Sequence, residues 1–291
     1  MSSSPAEQAQ VHTATSQLTV FIHQGAGKTI LLLHGGPGVP DYLEPVAAML
    51  APRYRVARYD QRGVGKSLAL NGSYSLEEHL ADLDAVRSYL GVPQLHLFGH
   101  SWGGLLAQLY WSKHPERTAS LLLCNSSTGV GRQWTTMEAA VMRYNRAQAG
   151  LLGWSAMGLW SLLSRAPGRA GRSAARRMMA QVWRNYFPDP KHAPAPDRDW
   201  LAGVSAAAIQ GTRRALLRAP PASLTPGTAD LELPVLVLFG GRDIYGAEVD
   251  TLLARFPSAK QVRLERSGHL PWLQDRAAFA QVVDDFYGSV P

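Results

Sequence analysis

The chain has 291 residues, 46% of them hydrophobic and 18% charged, with a single cysteine and a formal net charge of +7. Such numbers describe a globular protein large enough for a sizeable core, and they exclude a disulfide scaffold, a disordered chain and an intrachain disulfide. No apolar run reaches membrane-spanning length, and no Cys/His cluster has metal-ligand spacing.

The charge is unevenly spread. Residues 127–230 hold fourteen Lys/Arg against five Asp/Glu, or +9; the remainder holds fifteen against seventeen, or −2. No nucleic-acid-binding motif accompanies the basic excess, so it reads as an arginine-rich helical surface and nucleic acid is not expected as a partner.

The polar N-terminus lacks the apolar stretch of a signal peptide, and residues 1–16 read as a disordered tail. Residues 17–23 and 29–33 then read as strands, the second without a polar interruption, as in a parallel sheet buried on both faces. It ends on His34-Gly35-Gly36-Pro37-Gly38. A helix is expected over 42–50 and a strand over 54–59, closing on Asp60-Gln61-Arg62-Gly63-Val64-Gly65-Lys66-Ser67. Ser75 with Glu78 three residues on is a capping-box pattern, and Leu76, Leu80, Leu83, Val86 and Leu90 mark one face of the helix it opens.

Leu95 to Phe98 form a short apolar strand that runs into Gly99-His100-Ser101-Trp102-Gly103, and helix-forming residues follow to Pro115. A serine between glycines at a strand-to-helix turn fits a strained, exposed nucleophile at a helix N-terminus. Another strand is expected over 119–124. From 127 to 230 the pattern turns helical, with breaks at 166–171 and 188–196 and five of the eight tryptophans. Strand, helix, strand and helix resume at 234–239, 247–255, 260–265 and 271–287. Alternating strands and helices predict an α/β fold: a mostly parallel sheet covered by helices on both faces. Residues 17–126 and 231–291 are its core domain, and 127–230 an inserted helical cap.

A serine hydroxyl needs a base, and the base needs an orienting group. Asp243 follows one strand end and His269 another, where functional groups of parallel sheets gather. The order Ser101, Asp243, His269 is that of α/β-hydrolase triads. His100, next to the nucleophile, reads as a structural neighbour. The oxyanion donors expected are the N–H groups of Trp102 and of Gly36, since Pro37 has none; Gly35 is the second choice.

These motifs, His34 to Gly38, Asp60 to Ser67 and Ser101-Trp102-Gly103, resemble the proline iminopeptidase group of α/β-hydrolase serine peptidases. The resemblance covers Leu18 to Tyr287. It implies an α/β-hydrolase fold and release of an N-terminal residue, typically proline, from small peptides, under a helical cap that shapes the pocket. It further implies Ser101 as nucleophile, His269 as base and Asp243 as orienter, with Asp60 and Arg62 as supports of the loops. The elbow departs from the group's Gly-Gly-Ser-Trp-Gly, and the basic cap lacks its Trp-Glu pair. Trp134, Trp154, Trp160, Trp183 and Glu138 are the substrate-binding residues expected in the cap.

The reading is therefore a cytoplasmic serine hydrolase without metal or cofactor, acting on a small molecule or short peptide, with no membrane partner. Prolyl-aminopeptidase-like cleavage is the first version. An esterase or lactonase acting on a small, partly apolar substrate is the alternative, favoured by the basic cap. A ligand-binding protein that has kept only the fold is the third.

Overall fold

The computed structural model describes residues 6–225 and 233–291. In chain order the elements are β1 (Glu7–His12), β2 (Ser16–His23), β3 (Thr29–Leu33), α1 (Glu44–Leu50), β4 (Arg55–Tyr59), β5 (Leu68–Ala69), α2 (Leu76–Tyr89), β6 (Leu95–His100), α3 (Trp102–Lys113) and β7 (Thr118–Cys124). Then come α4 (Arg132–Leu163), α5 (Gly168–Asn185), α6 (Arg198–Ala202), α7 (Ala206–Arg218), β8 (Val235–Gly240), α8 (Val249–Arg255), β9 (Lys260–Leu264), α9 (Pro271–Gln274) and α10 (Arg276–Ser289).

The sheet runs β1-β2-β4-β3-β6-β7-β8-β9, with the short β5 beside β2. Pairing is antiparallel from β1 to β4 and parallel from there to β9. The unbroken apolar runs have a direct cause: alternate residues feed two cores. Leu31 and Leu33 pack with Trp102 and the leucines of α2 and α3 on one face. Ile30 and Leu32 pack with α1 and α10 on the other. Ser75 caps α2 by accepting from the N–H of Glu78.

Two differences from the sequence reading stand out. Residues 7–12, expected in a disordered tail, form an edge strand paired residue by residue with β2, Glu7 opposite Ile22 and His12 opposite Gln17. Only Val11 of that strand is buried, so it has no apolar alternation to find; backbone pairing holds it. The final helix is broken at Asp275 into α9 and α10.

Between β7 and β8 every described element is helical. The expected start of this insertion at residue 127 follows β7; its expected end at 230 lies outside the described residues. Within α4, Gly150 has φ 65° and ψ −177°, so the helix folds into two halves, 132–149 and 151–163. Only a residue without a Cβ takes that conformation at little strain. Asn185 of α5 bridges both halves, through Asn145 Oδ1 at 2.7 Å and Met157 Sδ at 3.9 Å.

Candidate active site

Three strand ends of the parallel half supply the site. At the end of β6, Ser101 has φ 55° and ψ −122°, a left-handed conformation that L side chains avoid. Neighbouring glycines make the turn possible. A Cβ on Gly103 would collide with the carbonyl of Leu33, so α3 lies directly against the end of β3. Ser101 is held by its own N–H, donated to Cys124 O at 3.2 Å, and by its carbonyl, which accepts from Ser127 N at 3.0 Å.

At the end of β8, Asp243 directs one oxygen to His269 Nδ1, 2.5 Å away, and accepts the N–H of Tyr245 on the other at 3.2 Å. Both side chains of the His–Asp pair are buried. His269, beyond β9, is fixed through its main chain by three separate elements. Its N–H donates to Tyr186 O at the end of α5 (3.0 Å), and its carbonyl accepts from Asn125 Nδ2 (2.9 Å) and His100 Nε2 (2.8 Å). Its ring lies 4.5 Å from that of Tyr186, centroid to centroid, and 5.3 Å from that of Tyr245.

With Nδ1 committed to Asp243, the other imidazole nitrogen is the one free to act. Among the described residues, Nε2 of His269 is buried without a hydrogen-bond partner. Ser101 Oγ is bonded not to it but to the hydroxyl of Tyr245, at 3.1 Å. Ser127 Oγ donates to the same phenol oxygen at 3.0 Å, which leaves the Tyr245 proton for Ser101. Burial pushes the Tyr245 phenol up to about 12, so it keeps that proton at neutral pH.

The glycine loop after β3 lies against the serine: a Cβ on Gly35 would sit 2.8 Å from Ser101 Cβ. The N–H of Gly35 is donated to Tyr42 Oη at 2.9 Å, and Tyr42 donates to His100 Nδ1 at 2.6 Å. His100 therefore carries its proton on Nε2, toward His269 O. Burial lowers its basicity well below the ordinary histidine range. Its place is a neutral strut between the glycine loop and the histidine loop. With Gly35 engaged, the N–H groups of Gly36 and Trp102 are the donors at hand, and neither reaches a backbone acceptor among the described residues.

The Asp60-to-Ser67 loop supports this arrangement. Gln61 Nε2 donates to His34 O at 2.8 Å, and Gln61 Oε1 accepts from Trp102 Nε1 at 2.7 Å, so one side chain ties the glycine loop to the first residue of α3. Asp60 caps two backbone N–H groups, of Asp41 and Lys66. Arg62 is fully buried and held by Asp82 (2.7 and 2.9 Å), Glu78 (2.8 Å) and Ser73 O (2.8 Å).

Above the site lies a cavity of about 340 Å³. Gly36, Tyr186 and Tyr245 form its floor, and Met137, Met178, Met179, Trp134, Trp183 and Trp200 much of its walls. Trp154 and Trp160, expected in the pocket, are not part of its lining; they sit in the half of α4 beyond Gly150. Glu138 does line it, but is tied to Arg213 by two bonds of 2.6 and 2.7 Å. A larger cleft of 800 Å³ between α2, α3 and α7 is lined by none of the residues around Ser101.

Sequence reasoning missed Tyr245, Tyr42, Tyr186, Asn125 and Trp200. Tyr245, two residues past Asp243, was findable as a phenol at the same strand end. Asn125 was too: φ 45° at the end of β7, with its side chain joining β8 (Gly240 N, 2.8 Å) to the histidine loop.

A family model for the alpha/beta hydrolase fold matches residues 28–275, and the chain belongs to that family; it is a hydrolase. Among its relatives, the proline iminopeptidase of Lactobacillus delbrueckii subsp. lactis is 26% identical over 277 residues, 88% of this chain and 89% of that one. The pimeloyl-[acyl-carrier protein] methyl ester esterase of Aeromonas hydrophila is 27% identical over 270 residues, 91% of this chain and 97% of its own. Among solved structures, VinJ superposes with a TM-score of 0.71 at 22% identity, covering 99% of this chain and all of its own.

Proposed function

We propose that the protein is a serine hydrolase that transfers an acyl group from a small, largely apolar ester to Ser101 and then to water. The observation that carries this is the buried His269–Asp243 pair, whose second imidazole nitrogen is unpartnered among the described residues, with Tyr245 touching both that imidazole and the hydroxyl of a serine on a strained turn. Nδ1–H donates to Asp243, so Nε2 holds the lone pair that takes the Ser101 proton. Oγ bonds to the substrate carbonyl carbon, and the charge displaced onto the carbonyl oxygen meets the N–H groups of Gly36 and Trp102 at the α3 N-terminus. His269 returns the proton to the leaving group, then repeats the exchange with water. Tyr245 keeps a hydrogen bond on Oγ throughout, first steadying the nucleophile and then aiding its departure in deacylation.

The ester reading of the substrate is supported by Glu138. Recognition of an N-terminal amine calls for an unencumbered carboxylate near the acyl group, and the one that lines this cavity among the described residues is already paired with Arg213. The methionine and tryptophan walls suit a flexible apolar acyl chain. The helices α4 to α7 act as its cap, and a lone buried Cys124 suits a reducing, cytoplasmic setting. The iminopeptidase version keeps the support of relatives similar over most of the chain. Turnover of p-nitrophenyl butyrate against proline p-nitroanilide, in wild type and Ser101→Ala, tests the proposal. Fast ester cleavage lost in the variant is expected; arylamide cleavage as fast as ester cleavage overturns the substrate assignment, and undiminished activity in Ser101→Ala overturns the mechanism.

A further inference from the structure

The half of α4 beyond Gly150 has an outer face on which five of the exposed large hydrophobic residues, among the described residues, are gathered. Residues 151–164 contain no charged side chain. Leu151, Leu152, Leu159, Leu162 and Leu163 are 79%, 87%, 55%, 62% and 46% exposed. At about 100° per residue these five leucines fall within an arc of about 120°, the sector that a helix of a water-facing domain gives to polar residues. The opposite side is buried through Met157.

The chain flanking this stripe is cationic, while the acidic residues Asp189, Asp197 and Asp199 lie on elements packed against α5. From residue 139 to 188 the sequence holds eight arginines and no aspartate or glutamate. Arg165 follows the stripe directly, and Arg169, Arg172, Arg176 and Arg177 are exposed on α5, the helix packed beside it.

We propose that this arm, residues 151–177, docks on an anionic lipid surface, with leucines entering the acyl boundary and arginines on the phosphates. A bilayer interface is the occupant that satisfies both features at once. A second copy of the chain would set arginine against arginine. An acidic protein would match the charge but leave a convex leucine stripe without a groove to fill. The expectation of no membrane partner rested on the lack of a spanning segment, and indeed no helix among the described residues is long and apolar enough to cross a membrane; lying on one needs only an amphipathic face. Met178 and Met179, just past Arg177, line the cavity, so docking brings the cavity to the lipid surface.

The test is co-sedimentation of the full-length protein with phosphatidylcholine vesicles, with and without 30% phosphatidylglycerol, a composition choice on the order of natural anionic surfaces. Binding to the anionic vesicles alone is expected, weakening at high salt. Leu151→Ser/Leu152→Ser should lower the partition coefficient about 10-fold or more, and Arg169→Gln/Arg172→Gln/Arg176→Gln should lower it comparably, both with unchanged thermal unfolding and unchanged turnover of a water-soluble ester. No binding to anionic vesicles overturns the proposal. So does binding that the leucine variant leaves intact, or a dimer in sedimentation velocity that this variant dissolves. Because vesicle binding needs no turnover, the outcome is separate from that of the hydrolase assignment.

Discussion

Arginine is used in opposite ways in the two halves of the molecule. In the sheet domain Arg62 is fully buried, with three carboxylate contacts and a carbonyl around it. In the helical insertion the arginines from 143 to 184 have no acidic residue within their own stretch of chain, and most lie in water. The first arrangement fixes a loop: Arg62 follows Gln61, which ties the glycine loop to α3. The second makes one tie to the fold, from Arg176 Nη2 to Ala202 O at 3.4 Å, and otherwise gives the surface a sign. The sheet region is thus densely cross-bonded around Arg62 and Gln61, and the helical region between β7 and β8 lines its cavity with methionines and faces water with arginines.

The largest expected effect falls on the sheet region. Ser101→Ala should lower kcat by about 10⁴-fold or more while leaving the thermal midpoint nearly unchanged, read by ester hydrolysis and calorimetry. Arg62→Met strands Asp82 in the core and should destabilise the protein by about 3–5 kcal/mol in urea unfolding. Arg172→Gln in the insertion should change stability by less than about 0.5 kcal/mol. Equal losses in the two would erase the contrast. Tyr245→Phe removes one hydrogen bond to Ser101 Oγ and should reduce kcat about 10-fold with little change in KM, measured by steady-state and burst kinetics, and it should cost about 1–3 kcal/mol of stability because buried Ser127 loses its acceptor.

A pH slope extends the comparison to the contact between the two regions. Burial lowers His79 to about 3 and His96 to about 4, whereas both take up a proton near pH 6.5 once unfolded. Below 6.5 the unfolded chain therefore binds more protons, and stability falls as pH falls, down to about 3 for His79 and about 4 for His96. Each contributes up to about 1.4 kcal/mol per pH unit within its window. Urea midpoints at pH 7 and 5.5 should show the drop. Since His79 Nε2 bridges to Thr212 of α7 at 3.0 Å, His79→Gln should make the slope shallower and sharpen the view that the two halves are joined by a neutral imidazole.

The sheet was legible because its strands are buried on both faces: runs such as 29–33 and 95–98 are too short for a core helix and are bounded by glycine and proline. Ser101, Asp243 and His269 were legible as residues because each follows such a run. What stayed hidden depends on closure between distant segments. Tyr42 matters because its hydroxyl lies between Gly35 and His100, and Tyr186 because its carbonyl meets the His269 N–H; neither contact has a local signature. Trp154 and Trp160 misled because tryptophan content was read as pocket lining, while Gly150 turns that half of α4 away from the cavity wall. Residues 7–12 were missed because an edge strand can be polar on nearly every side chain.

Asp243 divides its two oxygens between two donors, an imidazole N–H and a peptide N–H. An amide in its place has only one acceptor, so Asn at 243 must turn an NH₂ toward one of the two. Aimed at His269, that NH₂ drives the ring proton to the other nitrogen; aimed at the peptide of Tyr245, it opens the turn that carries the phenol. A single-atom exchange thus has no orientation in which both neighbours keep their places.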